Sequence, residues 1–167
     1  VKLLHYPNSM DEIKLANNRF KYEELLKYQL SMKYLHHMRE QNGHSPIMDY
    51  QLSWLESLEK KLSYELTSDQ KQAINDILSD LKAPYAMNRL LQGEVGSGKT
   101  IVAVMAMLAV VSAGYQAALM CPTEILSQQH YATLVEMLKE YDIKIALMTG
   151  STSQKNRKEI LEGLENG

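Results

Sequence analysis

Several things are scarce in this chain, and each scarcity closes a class of protein. Cysteine occurs once, as Cys121, so no internal disulfide can staple the fold, and a reducing, cytoplasmic setting is expected. Long apolar runs are missing. The longest, Ile101 to Ala113, covers thirteen residues and includes Ser112, short of the roughly 20 that cross a bilayer, so no membrane partner is expected. The opening stretch VKLLHYPNS lacks the basic start, apolar core and small-residue cleavage site of a signal peptide. Charge of one sign is missing too. Lys plus Arg number 18 against 20 Asp plus Glu, a net charge of −2, which argues against a histone-like basic binder but leaves room for a local phosphate-contacting groove. Glycine is nearly absent from the first 65 residues, with only Gly43 there, whereas seven follow. The two parts therefore have different backbone needs.

What is present reads as an ordinary globular protein, 45% apolar and 23% charged over 167 residues, which fits one domain or one domain with a helical appendage. The chain opens on Val1 and closes on Glu165-Asn166-Gly167, in the middle of a helix and its exit, so a fragment is expected. Residues from about Met10 to Gln41 predict one long helix, with Ile13, Ala16, Phe20, Leu26, Leu30, Tyr34 and Met38 at helical steps. Ser9 and Glu12 form a capping-box pattern at its start, and Gly43, Ser45 and Pro46 break it. A second helix is expected from Asp49 to Lys61, with Leu52, Leu55, Leu58 and Leu62 on one side. Packing is the plain role for both helices. The Lys–Tyr pairs at 21–22, 27–28 and 33–34 do not share one face, which disfavours base stacking.

From Leu66 the pattern alternates. Thr67 caps a helix over Ser68 to Leu81. A strand is predicted at Asn88 to Gln92, then a helix from Lys99 to Ser112 closed by Gly114. Another strand is expected at Gln116 to Cys121, a helix from Glu124 to about Glu140, a third strand at Lys144 to Met148, and a last helix from near Ser153. Strands alternating with helices of this length predict an α/β fold with a parallel sheet and helices on both faces.

Gly93-Glu94-Val95-Gly96-Ser97-Gly98-Lys99-Thr100 fits G-x-x-x-x-G-K-[ST] between a predicted strand and a predicted helix. Its glycines permit positive φ and leave no Cβ where a loop must wrap phosphate oxygens. Backbone N–H groups from Val95 to Thr100 can then converge at the positive end of a helix. Lys99 supplies charge to the β- and γ-phosphates of ATP, and the Thr100 hydroxyl can ligate Mg²⁺. These two are the candidate catalytic residues. The loop alone does not separate kinases, GTPases, transporters and helicases.

Three further motifs narrow the choice. Leu66-Thr67-Ser68-Asp69-Gln70 lies ahead of the loop, and a Gln70 amide can donate and accept at once, as an adenine edge demands. Pro122-Thr123-Glu124 ends the second predicted strand and opens a helix, and Thr149-Gly150-Ser151 follows the third. In this order the motifs resemble those of superfamily-two helicases, and with Met87-Asn88-Arg89-Leu90-Leu91-Gln92 ahead of the loop they are most similar to the RecG family of bacterial branched-DNA translocases. The resemblance implies a RecA-like P-loop NTPase fold, incomplete here, with residues 66–167 as the N-terminal part of the first motor lobe. It implies that residues 1–65 are a helical connector between a wedge domain and the motor. It also implies ATP and Mg²⁺ as cofactors, adenine contact by Gln70, and backbone contact with branched or forked DNA by Pro122, Thr123, Glu124, Thr149, Gly150 and Ser151. Cys121 stands where the family usually has Ala. A relative of the transcription-repair coupling factor, or a P-loop kinase or transferase, is the alternative. The acidic Asp-Glu strand end that such motors need is missing, since the sole Asp-Glu pair is Asp11-Glu12. ATP turnover by these residues alone is therefore not expected, and self-association through uncovered strand edges is.

Overall fold

The structure, a computed structural model, describes residues 2–42 and 44–166. The expected chain ends at Val1 and Gly167 and the helix-breaking Gly43 lie outside the described residues. Seven helices are present among the described residues: α1 (Lys2–His5), α2 (Met10–Asn42), α3 (Leu52–Lys61), α4 (Ser68–Leu81), α5 (Lys99–Ser112), α6 (Glu124–Leu138) and α7 (Gln154–Asn166). By contact the chain divides into two compact units, Val1–Ser45 with Pro84–Ala86, and Pro46–Ala83 with Met87–Gly167.

In the first unit α1 packs back on α2. The Ser9 hydroxyl accepts from the Glu12 N–H at 3.3 Å, as expected of a cap, while the Glu12 carboxylate accepts from the Asn8 N–H at 2.8 Å. Ala16 is buried, but Phe20, Leu26, Leu30 and Tyr34 stay exposed along the helix. The chain after α2 is held by the Ser45 N–H donating to the Pro84 carbonyl at 3.0 Å.

The core of the second unit is built around α5. This helix is apolar on nearly every side, and Ile101, Val102, Val104, Met105, Leu108 and Ala109 are all buried, as a helix wrapped by neighbours must be. α4 supplies Ile77 and Leu78, and α3 supplies Leu55 and Leu58. α3 begins at Leu52, three residues later than the pattern suggested. The Gln51 N–H donates to the Ser112 hydroxyl at 3.0 Å, and that hydroxyl donates to the Ala109 carbonyl at 2.8 Å. A serine buried in the last turn of α5 is thereby satisfied and ties the start of α3 to it. α3 is also fastened, at its first turn and at its last residue, to the chain just beyond α6. The Tyr141 hydroxyl donates to the Trp54 carbonyl at 2.9 Å, the two rings lie 5.2 Å apart, and Lys61 pairs with Glu140.

The expected parallel sheet is not there. Among the described residues no strand forms at Asn88–Gln92, Gln116–Cys121 or Lys144–Met148, and the chain is all-helical with irregular connections. The apolar alternation did describe the segments one at a time: from Asp142 to Leu147 exposed and half-buried residues alternate. A strand, however, is defined by ladder bonds to a neighbour, and no backbone bond joins these three segments to one another among the described residues. Leu90 and Met120, which a covered sheet would have buried, are 82% and 93% exposed. The core is helix packed on helix.

Candidate nucleotide and nucleic-acid site

The first cluster forms where α4 meets the glycine-rich loop. Thr67 has extended backbone and caps α4, its hydroxyl accepting from the Gln70 N–H at 3.2 Å. Gln70 answers, its side-chain oxygen accepting from the Thr67 N–H at 2.9 Å, so the capping box is complete. That fixes the amide plane and aims Nε2 across 27 residues of sequence at the Ser97 carbonyl, to which it donates at 2.9 Å. One N–H and one lone pair of the amide remain uncommitted, the pair an adenine edge needs.

The loop itself turns on two glycines. Gly96 and Gly98 have φ of 83° and 77°, and Gly98 is the N-cap of α5. At Gly98 the positive φ favours glycine, and a Cβ would lie 2.3 Å from the Gln70 amide nitrogen, which would have to shift. Lys99 folds back over its own loop and donates to the carbonyls of Gly93 at 2.9 Å and Glu94 at 2.6 Å, with the Ser97 hydroxyl at 3.4 Å. The ammonium is thus committed to two carbonyls of the loop, an arrangement that an incoming anion would have to displace. Thr100 and Val95 are exposed. No group of three or more His, Cys, Asp or Glu side chains converges on a metal position among the described residues.

The second cluster forms at the start of α6. Thr123, with extended backbone, caps the helix, its hydroxyl accepting from the Leu126 N–H at 3.3 Å. Glu124, the first helical residue, reaches to the loop after residue 148. Its carboxylate accepts from the Thr149 hydroxyl at 3.2 Å and from the Ser151 hydroxyl. Thr149 and Ser151 oxygens lie 3.0 Å apart, and the Thr152 hydroxyl accepts from the Thr149 N–H at 2.8 Å. Two motifs 25 residues apart thus share one hydroxyl–carboxylate cluster. Pro122 and Gly150 are exposed beside it and make no side-chain bond in it. Thr152 is the member that motif reading missed; the only signal was the hydroxyl-rich run Thr149 to Ser153.

A glycine-rich turn that opens an apolar helix, with a lysine at the helix start and a capped glutamine bonded to the turn, defines a chain of the phosphate-loop class. A model of the DEAD/DEAH box helicases matches residues 67–166, which is most of the chain, and the chain belongs to that family. It is similar to ATP-dependent DNA helicase RecG of Staphylococcus aureus strain Mu50, at 44% identity over 98% of this chain and 24% of that one. RecG of Bacillus subtilis is 42% identical over 100% of this chain and 24% of its own length. A solved structure of RecG bound to a three-way DNA junction superposes with a TM-score of 0.84 at 39% identity, over 99% of this chain and 22% of that one. The likeness to RecG read from the motifs therefore holds, and the chain spans about a quarter of the length of the curated relatives it matches.

Proposed function

We propose that residues 66–167 serve as the nucleotide-binding part of the first motor lobe of an ATP-dependent translocase. Its substrate is branched or forked DNA in recombination and repair, in the bacterial cytoplasm, and residues 1–65 act as its helical connector. The observation that supports this is the bond from Gln70 to Ser97, which joins the side-chain amide at the start of α4 to the glycine-rich loop across 27 residues of sequence. The RecG relatives point to the same class, and no helix among the described residues is long and apolar enough to cross a membrane.

The roles follow from the chemistry of each group. Gln70 reads the adenine edge with its uncommitted N–H and lone pair. Backbone N–H groups between Gly93 and Thr100 would hold the triphosphate, with the Ser97 N–H first released from the Glu94 carbonyl, and the positive φ of Gly96 and Gly98 suits such a cradle. Lys99, now on the Gly93 and Glu94 carbonyls, would hold the β- and γ-phosphates, and the exposed Thr100 hydroxyl would hold Mg²⁺. Bound Mg–ATP supplies a phosphoanhydride whose hydrolysis drives movement. Pro122, Thr123 and Glu124, with Thr149, Gly150 and Ser151, meet the DNA backbone, where hydroxyls and helix N–H groups position phosphate without reading sequence.

The only Asp-Glu pair of the chain, Asp11-Glu12, sits in the first turn of α2, so residues 1–167 are expected to bind nucleotide without turning it over. Titration with a fluorescent ATP analogue should give saturable binding that Lys99→Ala abolishes. Binding unchanged by Lys99→Ala would reject the nucleotide site. Steady turnover with forked DNA that vanishes in Lys99→Ala would reject the claim of inactivity.

A further inference from the structure

The cluster at the start of α6 poses a question of proton supply. A DNA phosphodiester carries oxygen acceptors and no donor, so a hydroxyl can hold it only by giving its single proton. Thr149 gives its proton to Glu124 Oε1 at 3.2 Å, and Ser151 gives its own to the same oxygen. If instead Thr149 donates to Ser151 across their 3.0 Å separation, Ser151 still donates to Glu124. Both protons stay inside the cluster in either assignment. The Thr152 hydroxyl accepts from the Thr149 N–H and lies 3.4 Å from the Thr149 hydroxyl, where either oxygen can be the donor. Glu124 also places a full negative charge at the spot a phosphate would approach, and like charges at contact repel.

We propose that Glu124 is an internal competitor for DNA phosphate. Its carboxylate holds the 149–151 loop in a state whose donors are spent, and the DNA backbone engages Thr149 and Ser151 only as that carboxylate turns away. Glu124 thereby sets the strength of backbone binding at this point and makes it conditional on a side-chain rearrangement. This rests on the reading of Thr149 and Ser151 as backbone contacts, and the test separates the two ideas.

The experiment titrates a forked DNA duplex into the chain at fixed low salt, with helix content followed by circular dichroism. The proteins are the unaltered chain, Glu124→Ala, Glu124→Gln, the pair Thr149→Ala with Ser151→Ala, and that pair combined with Glu124→Ala. Glu124 is exposed, and Glu124→Gln keeps its size and one acceptor, so at least that variant retains the fold. Both Glu124 variants should bind more tightly, on the order of tenfold, the gain expected when a carboxylate near a phosphate is removed. The hydroxyl pair should weaken binding modestly alone and should erase the gain when combined with Glu124→Ala. If Glu124→Gln and the hydroxyl pair both weaken binding, the backbone-contact reading stands and the competitor is overturned, leaving Glu124 as a positioning residue. If the gain survives loss of both hydroxyls, or no variant differs from the unaltered chain, the backbone-contact reading fails and the proposal fails with it.

Discussion

The Gln70 side chain donates to the Ser97 carbonyl at 2.9 Å while its oxygen completes the capping box with the Thr67 N–H. One amide thus closes the first turn of α4 and braces the phosphate loop. A residue proposed as a base reader also has a structural duty, and the proposed contact would use the amide's remaining N–H and lone pair.

Replacing Gln70 with Ala should therefore act on both. Loss of the box and the loop brace is expected to cost about 1 kcal/mol of stability, the usual size for a cap or a neutral hydrogen bond. Affinity for ATP should fall more than affinity for inorganic triphosphate, since only the former presents an adenine. Urea unfolding and paired ligand titrations measure these effects, and an equal loss for both ligands would show that Gln70 acts on the loop alone.

The two left-handed glycines of the loop should differ in tolerance. At Gly96 (φ 83°) an added Cβ meets nothing within 4 Å, so Gly96→Ala pays only for backbone strain, about 1–2 kcal/mol. At Gly98 (φ 77°) the same Cβ also runs into the Gln70 amide, and a larger loss is expected. A Gln70→Ala background should remove that excess, which a double-mutant cycle in urea would detect. Equal losses at the two glycines would refute the contact.

Leu58 and Leu108 are each 1% exposed in the core around α5. Truncating either to Ala should cost about 2–5 kcal/mol, from lost transfer energy and the cavity left behind. Met120→Ala, at a side chain 93% exposed, should stay within about 0.5 kcal/mol. A large loss at Met120 in equilibrium unfolding would mean that this side chain is covered in solution.

Glu140 pairs with Lys61, and that hydrogen bond and charge hold its carboxyl below the ordinary carboxylate range. A lowered folded-state pKa contributes stability that is present above the unfolded pKa and is lost as pH falls through the folded value. The expected result is a small loss between about pH 5 and pH 3, reduced by salt and absent in Glu140→Gln. Thermal melts across that range test it, and an identical acid limb in the variant would exclude the pair as a contributor.

Leu90, Val95 and Met120 are 82%, 103% and 93% exposed. Apolar side chains so placed favour association, whereas no strand, and so no uncovered strand edge, forms among the described residues. Light scattering should show mass rising with concentration in the micromolar range, and replacing all three with Ser should restore a monomer. A monomer for the unaltered chain would refute this.

Helix ends were readable in advance because their causes are local. Thr67, Gly98, Gly114, Thr123 and Ser153 act within one turn of the backbone they cap, and the boundaries of α4 and α5 fell where those residues stand. The glycine-rich turn was legible in part, since Gly96 and Gly98 take positive φ whereas Gly93 does not. The sheet was not. Alternation of apolar residues describes a segment's two faces but contains nothing about a partner, and pairing is a relation between segments. The same holds for the two clusters. No pattern along the chain says that Gln70 reaches Ser97, or that Glu124 consumes the protons of Thr149 and Ser151. Those contacts join residues 25 to 27 positions apart, and they exist because packing around α5 brings α4 to its N-terminal loop and because the 149–151 turn meets the first residue of α6.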